Sequence, residues 1–188
     1  MIYPIVAYGS PVLKKKAQVI DAANVDLASI ISNMWETMYN ANGAGLAAPQ
    51  IDLSMRLFLV DSERIISDSD TVWKDAPGIK EVFINPEIVG LSGTNIEYEE
   101  GCLSIPEIRY PVTRPDEVRI TYYDADLKLH DRKFNGLTSR IIQHEYDHIE
   151  GVLFTDRLKS LRKRLILNQL REISRGKVHT RYRMKFPG

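Results

Sequence analysis

The sequence predicts an α+β fold: a single domain of short, mostly antiparallel strands around a central helix, with an N-terminal helix and a C-terminal helix. Three observations carry this. Apolar residues recur at helical spacing near the start (Leu27, Ile30, Ile31, Met34, Met38) and again in two stretches after Gly136. Between these lie short β-rich runs separated by Gly, Pro and Asp, without the regular alternation that marks βαβ units. The 188 residues suit one domain with a real core, and 44% hydrophobic with 27% charged residues is ordinary globular usage.

Taken in order, the opening segment carries Pro4, Gly9 and Pro11 and should be extended, with a short turn over 12–16. A helix is predicted over 26–39, capped by Asn24 or Asp26, with its methionines and Trp35 in or beside the core. Residues 43–50, Gly-Ala-Gly-Leu-Ala-Ala-Pro-Gln, form a loop able to approach another group closely. It lacks the Lys-Ser/Thr and the preceding strand of a phosphate loop. Residues 56–60 read as a strand, and 62–78 as a polar, solvated excursion. Residues 82–85 and 88–91 read as a strand interrupted by Pro86, which places it at a sheet edge. Residues 95–99, 109–113, 118–123 and 127–134 are further strands, with a hairpin turn at Asp124-Ala125-Asp126.

A helix follows, marked by Leu137, Ile141, Ile142 and Ile149 and bounded by Gly136 and Gly151. Leu158, Leu161, Leu165, Ile166, Leu167 and Leu170 mark a last helix with a basic outer face. Residues 177–188 read as a loose basic tail beyond a catalytic domain of 1–176. Net charge is zero but unevenly spread. From Arg157 onward there are 11 basic residues and one acid, which leaves 14 basic and 24 acidic residues over 1–156. A basic end suggests an anionic partner such as RNA, although a charge run is more often a solvated face. No stretch is long and apolar enough to span a bilayer, no secretory leader is evident, and Cys102 is the only cysteine. Together these fit a reducing, cytoplasmic setting without membrane contact.

The chemistry concentrates at Gln143-His144-Glu145-Tyr146-Asp147-His148. On a helix, His144 and His148 lie on one face, one turn apart, where two imidazoles can hold one divalent metal ion beside the acid Glu145. The bland alternative is a helix with two surface histidines. A catalytic site needs a third ligand. Downstream, Glu150 points away from the shared face and His179 lies in the expected tail, leaving Glu172. Upstream, Cys102 sits in a turn beside Gly101 and completes a Cys-His-His set.

Three motifs now stand in order: Gly-Ala-Gly-Leu-Ala-Ala-Pro-Gln over 43–50, Glu-Gly-Cys-Leu-Ser over 100–104, and Gln-His-Glu-Tyr-Asp-His-Ile-Glu-Gly over 143–151. Together with Tyr-Gly-Ser-Pro-Val-Leu over 8–13 they resemble the signatures of the peptide deformylases, over essentially the whole chain. Two departures are Ile149, where leucine is usual, and the longer 62–78 excursion.

The resemblance implies that Cys102, His144 and His148 bind the metal, physiologically ferrous iron, with zinc, nickel or cobalt as substitutes. It implies that Glu145 takes a proton from the attacking water and passes it to the leaving amine. The oxyanion would be held by the metal, the Gln50 side-chain amide and the Leu103 backbone N–H, with Gly45 keeping its loop against the substrate. Ala44 and Ile141 would line the methionine pocket, and Glu100 would order a neighbouring group. Implied partners are N-formylmethionyl peptides, and the ribosome through the basic C-terminal helix, with no DNA. Two other classes compete: a zinc peptidase cutting internal bonds, which the Cys102 motif disfavours, and a silent RNA-binding module, which an intact Glu145 disfavours.

Overall fold

The computed structural model describes residues 1–66 and 78–187. The main sheet is antiparallel, in the order β2-β3-β4-β5-β6: Gly45–Ala47, Leu57–Asp61, Lys80–Cys102, Ile105–Tyr123 and Leu129–Asn135. A second, two-stranded parallel sheet joins β1 (Ile5–Val6) to β7 (Met184–Lys185). The helices are α1 (Leu27–Asn40), the short α2 (Glu63–Ile66), α3 (Gly136–Ile149) and α4 (Ser160–Ser174). The α+β reading and the three long helices therefore stand. None of the helices among the described residues is long and apolar enough to cross a membrane.

Helix α1 begins where Asp26, one of the two caps the sequence offered, accepts a hydrogen bond from the Ser29 N–H. Its apolar face (Ile31, Met34, Met38) packs on Leu46, Leu57, Leu59 and Ile84 of the sheet. Helix α3 lies on the same sheet, where Ile142 and Ile149 meet Phe58, Val60, Phe83, Val118 and Ile120. Helix α4 buries Ile166, Leu170 and Ile173 against Ile105, Ile108, Val112 and Phe154. Helix α3, which carries His144, Glu145 and His148, is thus held against the sheet.

Several expectations need correction. The runs at 82–85, 88–91 and 95–99 are one strand, β4, and 109–113 and 118–123 are one strand, β5. Register shifts at Ile84/Glu87, Ile88/Gly90 and Ser92/Asn95 break the two-residue alternation, so a continuous ribbon reads as fragments. Pro86 falls in the first of these bulges. Strand β3 pairs with β4 only as far as Ile84, so at Pro86 the inner strand β4 keeps β5 alone as neighbour and its other side is locally an edge. Ser62, taken as the start of a solvated excursion, is fully buried and its hydroxyl meets Thr138 at 2.8 Å. Residues 67–77 of that reading lie outside the described residues.

The largest correction concerns the C-terminus. Residues 177–187 are not a loose tail. Ile5 N–H donates to Arg183 O and Ala7 N–H to Lys185 O, both at 2.8 Å, while Val178 and Met184 pack against the core. A parallel pairing of the two ends of a chain leaves no local sequence signal.

Candidate metal centre and substrate cleft

Every residue of α3 except Ile141 and Tyr146 is buried. The two histidines are therefore not surface residues, and the polar groups beside them need partners inside the protein. Ring centroids of His144 and His148 lie 5.0 Å apart, nearly perpendicular. Cys102, the last residue of β4 before the two-residue turn into β5, brings Sγ to 3.3 Å from His148 Nε2. One ligand atom from each of Cys102, His144 and His148 falls within 4.8 Å of the others, the arrangement a single ion requires. The structure thus brings together the three residues the sequence singled out, and the site fits a cation by its donors. Glu150 instead pairs with Arg56 and Lys16. His179 is at the rim of the cleft, outside the cluster.

Glu100 explains how His144 is aimed. Its Oε2 accepts from His144 Nδ1 at 2.9 Å, so that nitrogen carries the proton and Nε2 is left to bind. The same carboxylate takes two bonds from Arg114 and one from Arg140. Burial would raise its pKa, but the bonds from Arg114 and His144 overcome that and hold it well below the usual carboxylate range. The two histidines differ in the same way. Burial disfavours the charged form of both. Bonds to Cys102 and Glu100 reverse this for His144, which is raised well above its ordinary value. His148 stays far below its own, through burial and then the positive charges of His144 and Arg114.

Glu145 is buried, and its Oε2 has no hydrogen-bond partner among the described residues. Burial pushes its pKa up to about 7, where a carboxylate can both take and return a proton. Gly45 lies against it: a Cβ built there would come within 2.5 Å of Glu145 Oε1. The glycine is needed to make room for the acid, a reason the sequence did not reveal. Gln50 is held by Ala47 N–H, which donates to Oε1 at 2.8 Å, while Nε2 reaches Cys102 Sγ at 3.5 Å. Its amide N–H groups thus face the ligand cluster.

The cluster opens into a cleft of about 650 Å³. Ala44 and Ile141 line it, together with Leu103, Ile105 and Leu137. Thr180, Arg181 and Tyr182 form part of its wall, although they come from the supposed tail. The Tyr182 hydroxyl donates to the Leu103 carbonyl at 2.8 Å. Burial, then the nearby Cys102 and Glu107, raise its pKa, so it stays a donor.

Sequence reasoning missed the supports. Arg114 is 1% exposed and joins Glu100 to Asp147, which also takes two bonds from Arg157. A signal existed. Arg114 shares its parity with the inward residues Val112, Val118, Ile120 and Tyr122 of β5, so an arginine stood at a core position.

The polypeptide deformylase family profile matches residues 2–164. A peptide deformylase of Christiangramia forsetii is 50% identical over 190 residues, covering 100% of this chain and 97% of the relative. One of Cytophaga hutchinsonii is 51% identical over 187 residues, covering 100% and 98%. Among solved structures, a peptide deformylase from Legionella pneumophila is 34% identical with a TM-score of 0.79, over 94% of this chain and 98% of that one. Arabidopsis thaliana peptide deformylase 1B in complex with an inhibitor reaches 0.80 at 33% identity, over 92% and 91%.

Proposed function

This chain belongs to the peptide deformylase family and removes the N-formyl group of new polypeptides, and on that premise we propose how its own residues do so. Cys102, His144 and His148 hold one divalent ion, which supplies Lewis acidity at the formyl group and lets water ionise near neutral pH. We assign ferrous iron, with zinc, nickel or cobalt as replacements; one thiolate and two imidazoles suit all of these.

Glu145 accepts the proton of the attacking water as its oxygen bonds to the formyl carbon. The Gln50 side-chain amide and the Leu103 N–H stabilise the oxyanion that develops. Losing one such donor typically costs about 3–4 kcal/mol of transition-state stabilisation. The carbon–nitrogen bond then breaks, Glu145 returns its proton to the leaving amine, and formate departs. Ala44 and Ile141 border the apolar pocket for the methionine side chain, with the peptide lying along the β2 edge beyond Gly45. A cytoplasmic setting suits a single thiol that must stay reduced.

The observation that carries this reading is the buried Glu145, whose Oε2 has no hydrogen-bond partner among the described residues, beside a Cys-His-His cluster. It is tested by purifying the protein without oxygen and offering formyl-Met-Ala-Ser. Glu145→Ala should keep its metal and lose formate release by a factor of about 10²–10⁴. Cleavage of an internal peptide bond by the unaltered protein would favour the peptidase instead.

A ribosome contact through α4 is a second reading. Several basic residues of the C-terminal region are neutralised within the protein: Arg157 by Asp147, Arg162 by Glu97, Lys163 by Asp156, Lys185 by Asp52. Lys159, Arg164 and Arg171 are exposed and have no ion pair among the described residues, and it is these we assign to RNA phosphates. Reversing all three to Glu should abolish salt-sensitive co-sedimentation with ribosomes while leaving formate release intact. Unchanged co-sedimentation would refute the contact. Deleting α4 would be a poorer test, since Ile166 and Leu170 belong to the core.

A further inference from the structure

We infer that Tyr182 is a positioning residue of the deformylation site, acting from the chain's C-terminal end on the turn that carries Leu103. This rests on the proposed role of the Leu103 N–H as an oxyanion donor. The turn has only two residues, Leu103 and Ser104, between the paired Cys102 and Ile105. Both of its carbonyls are held from outside. Tyr182 donates its hydroxyl to Leu103 O at 2.8 Å, and Tyr8 donates its backbone N–H to Ser104 O at 2.9 Å.

The two anchors come from opposite ends of the chain, which are themselves zipped together as β1 and β7. Tyr182 is further set by its own surroundings. Thr180 Oγ1 donates to the Tyr182 carbonyl at 2.6 Å, and Val178 and Met184 on either side pack into the core. The peptide units on both sides of Leu103 share its Cα. Holding the carbonyl on one side restricts rotation of the N–H on the other, so the hydroxyl preorganises the donor without touching substrate. Neighbouring Ser104 is held in addition by Gln50 Nε2, 3.4 Å from its Oγ, which links the turn to the second proposed donor.

Tyr182→Phe removes only the hydroxyl. In the full-length, metal-loaded protein kcat for formyl-Met-Ala-Ser should fall about tenfold, with KM within about twofold and metal content unchanged, consistent with loss of one hydrogen bond. In the zinc-loaded protein, the Leu103 amide resonance should shift or broaden. An unchanged kcat, or an unchanged Leu103 amide, overturns the inference. So does a loss of activity that tracks loss of metal or loss of folded protein at the assay temperature. Gln50→Ala is the control and should lose about a hundredfold or more. If it stays fully active, the oxyanion reading has failed, and the Leu103 resonance still decides whether Tyr182 holds the turn.

Discussion

Helices α3 and α4 both carry arginines or carboxylates in ion pairs, but the pairs lie in different media. Asp147 of α3 and its partner Arg114, buried beneath the helix, have side chains 8% and 2% exposed. Arg162 on α4 and its partner Glu97 are 40% and 52% exposed. In the interior, each charge has lost its water and survives only because every partner is in place. On the surface, water and salt share the work, and a pair contributes about 0–1 kcal/mol. The interior network fixes geometry: Arg114 grips Glu100, Glu100 grips His144, and Asp147, on the same helix, closes the ring. The outer face of α4 fixes little, and so is free to meet other molecules.

The widest gap between the two regions should appear in Arg114→Ala. It leaves Glu100 and Asp147 buried without their shared cation, and should cost about 3–5 kcal/mol in denaturant unfolding. The same variant should bind metal more weakly, because His144 loses the carboxylate that aims it. Stability within 1 kcal/mol of the original would show that the network carries no weight.

Gly45→Ala sharpens the interior side without altering charge. The added methyl group would meet Glu145, so either the acid or the loop must move. Such overpacking typically costs about 1–3 kcal/mol, here expected in kcat, with metal content retained. Full activity would mean that Glu145 has room the geometry does not show. The smallest effect belongs to Arg162→Ala, which breaks the exposed pair and should change unfolding by less than about 1 kcal/mol. A loss comparable to Arg114→Ala would erase the distinction between the helices.

Much of the site was legible in the residues. His144 and His148 fall one turn apart on any helix, and Cys102 follows a glycine where a strand ends, so a ligand set could be named without coordinates. The helix α1 followed from spacing, and of the two caps its start offered, Asn24 and Asp26, the second is used. Less was legible in the sheet. Bulges in β4 broke the alternation on which strand reading depends, and Pro86, which argued for an edge, lies in one of them. The pairing of β1 with β7 was hidden because two-residue strands carry no pattern. His179 and Tyr182 were set aside with the tail for the same reason, though both border the cleft.

The residues alone thus specify the kinds of groups and their local spacing: the Cys-His-His group, the proposed acid and Gln50 amide, and the class of fold. These rest on helical periodicity and turn chemistry, which act over a few residues. The tertiary structure decided which of those groups lost their water. It buried Arg114 beneath α3, set Gly45 against Glu145, and carried Tyr182 across the molecule to Leu103. Desolvation and long-range pairing depend on where distant segments meet, and no local pattern of residues records that.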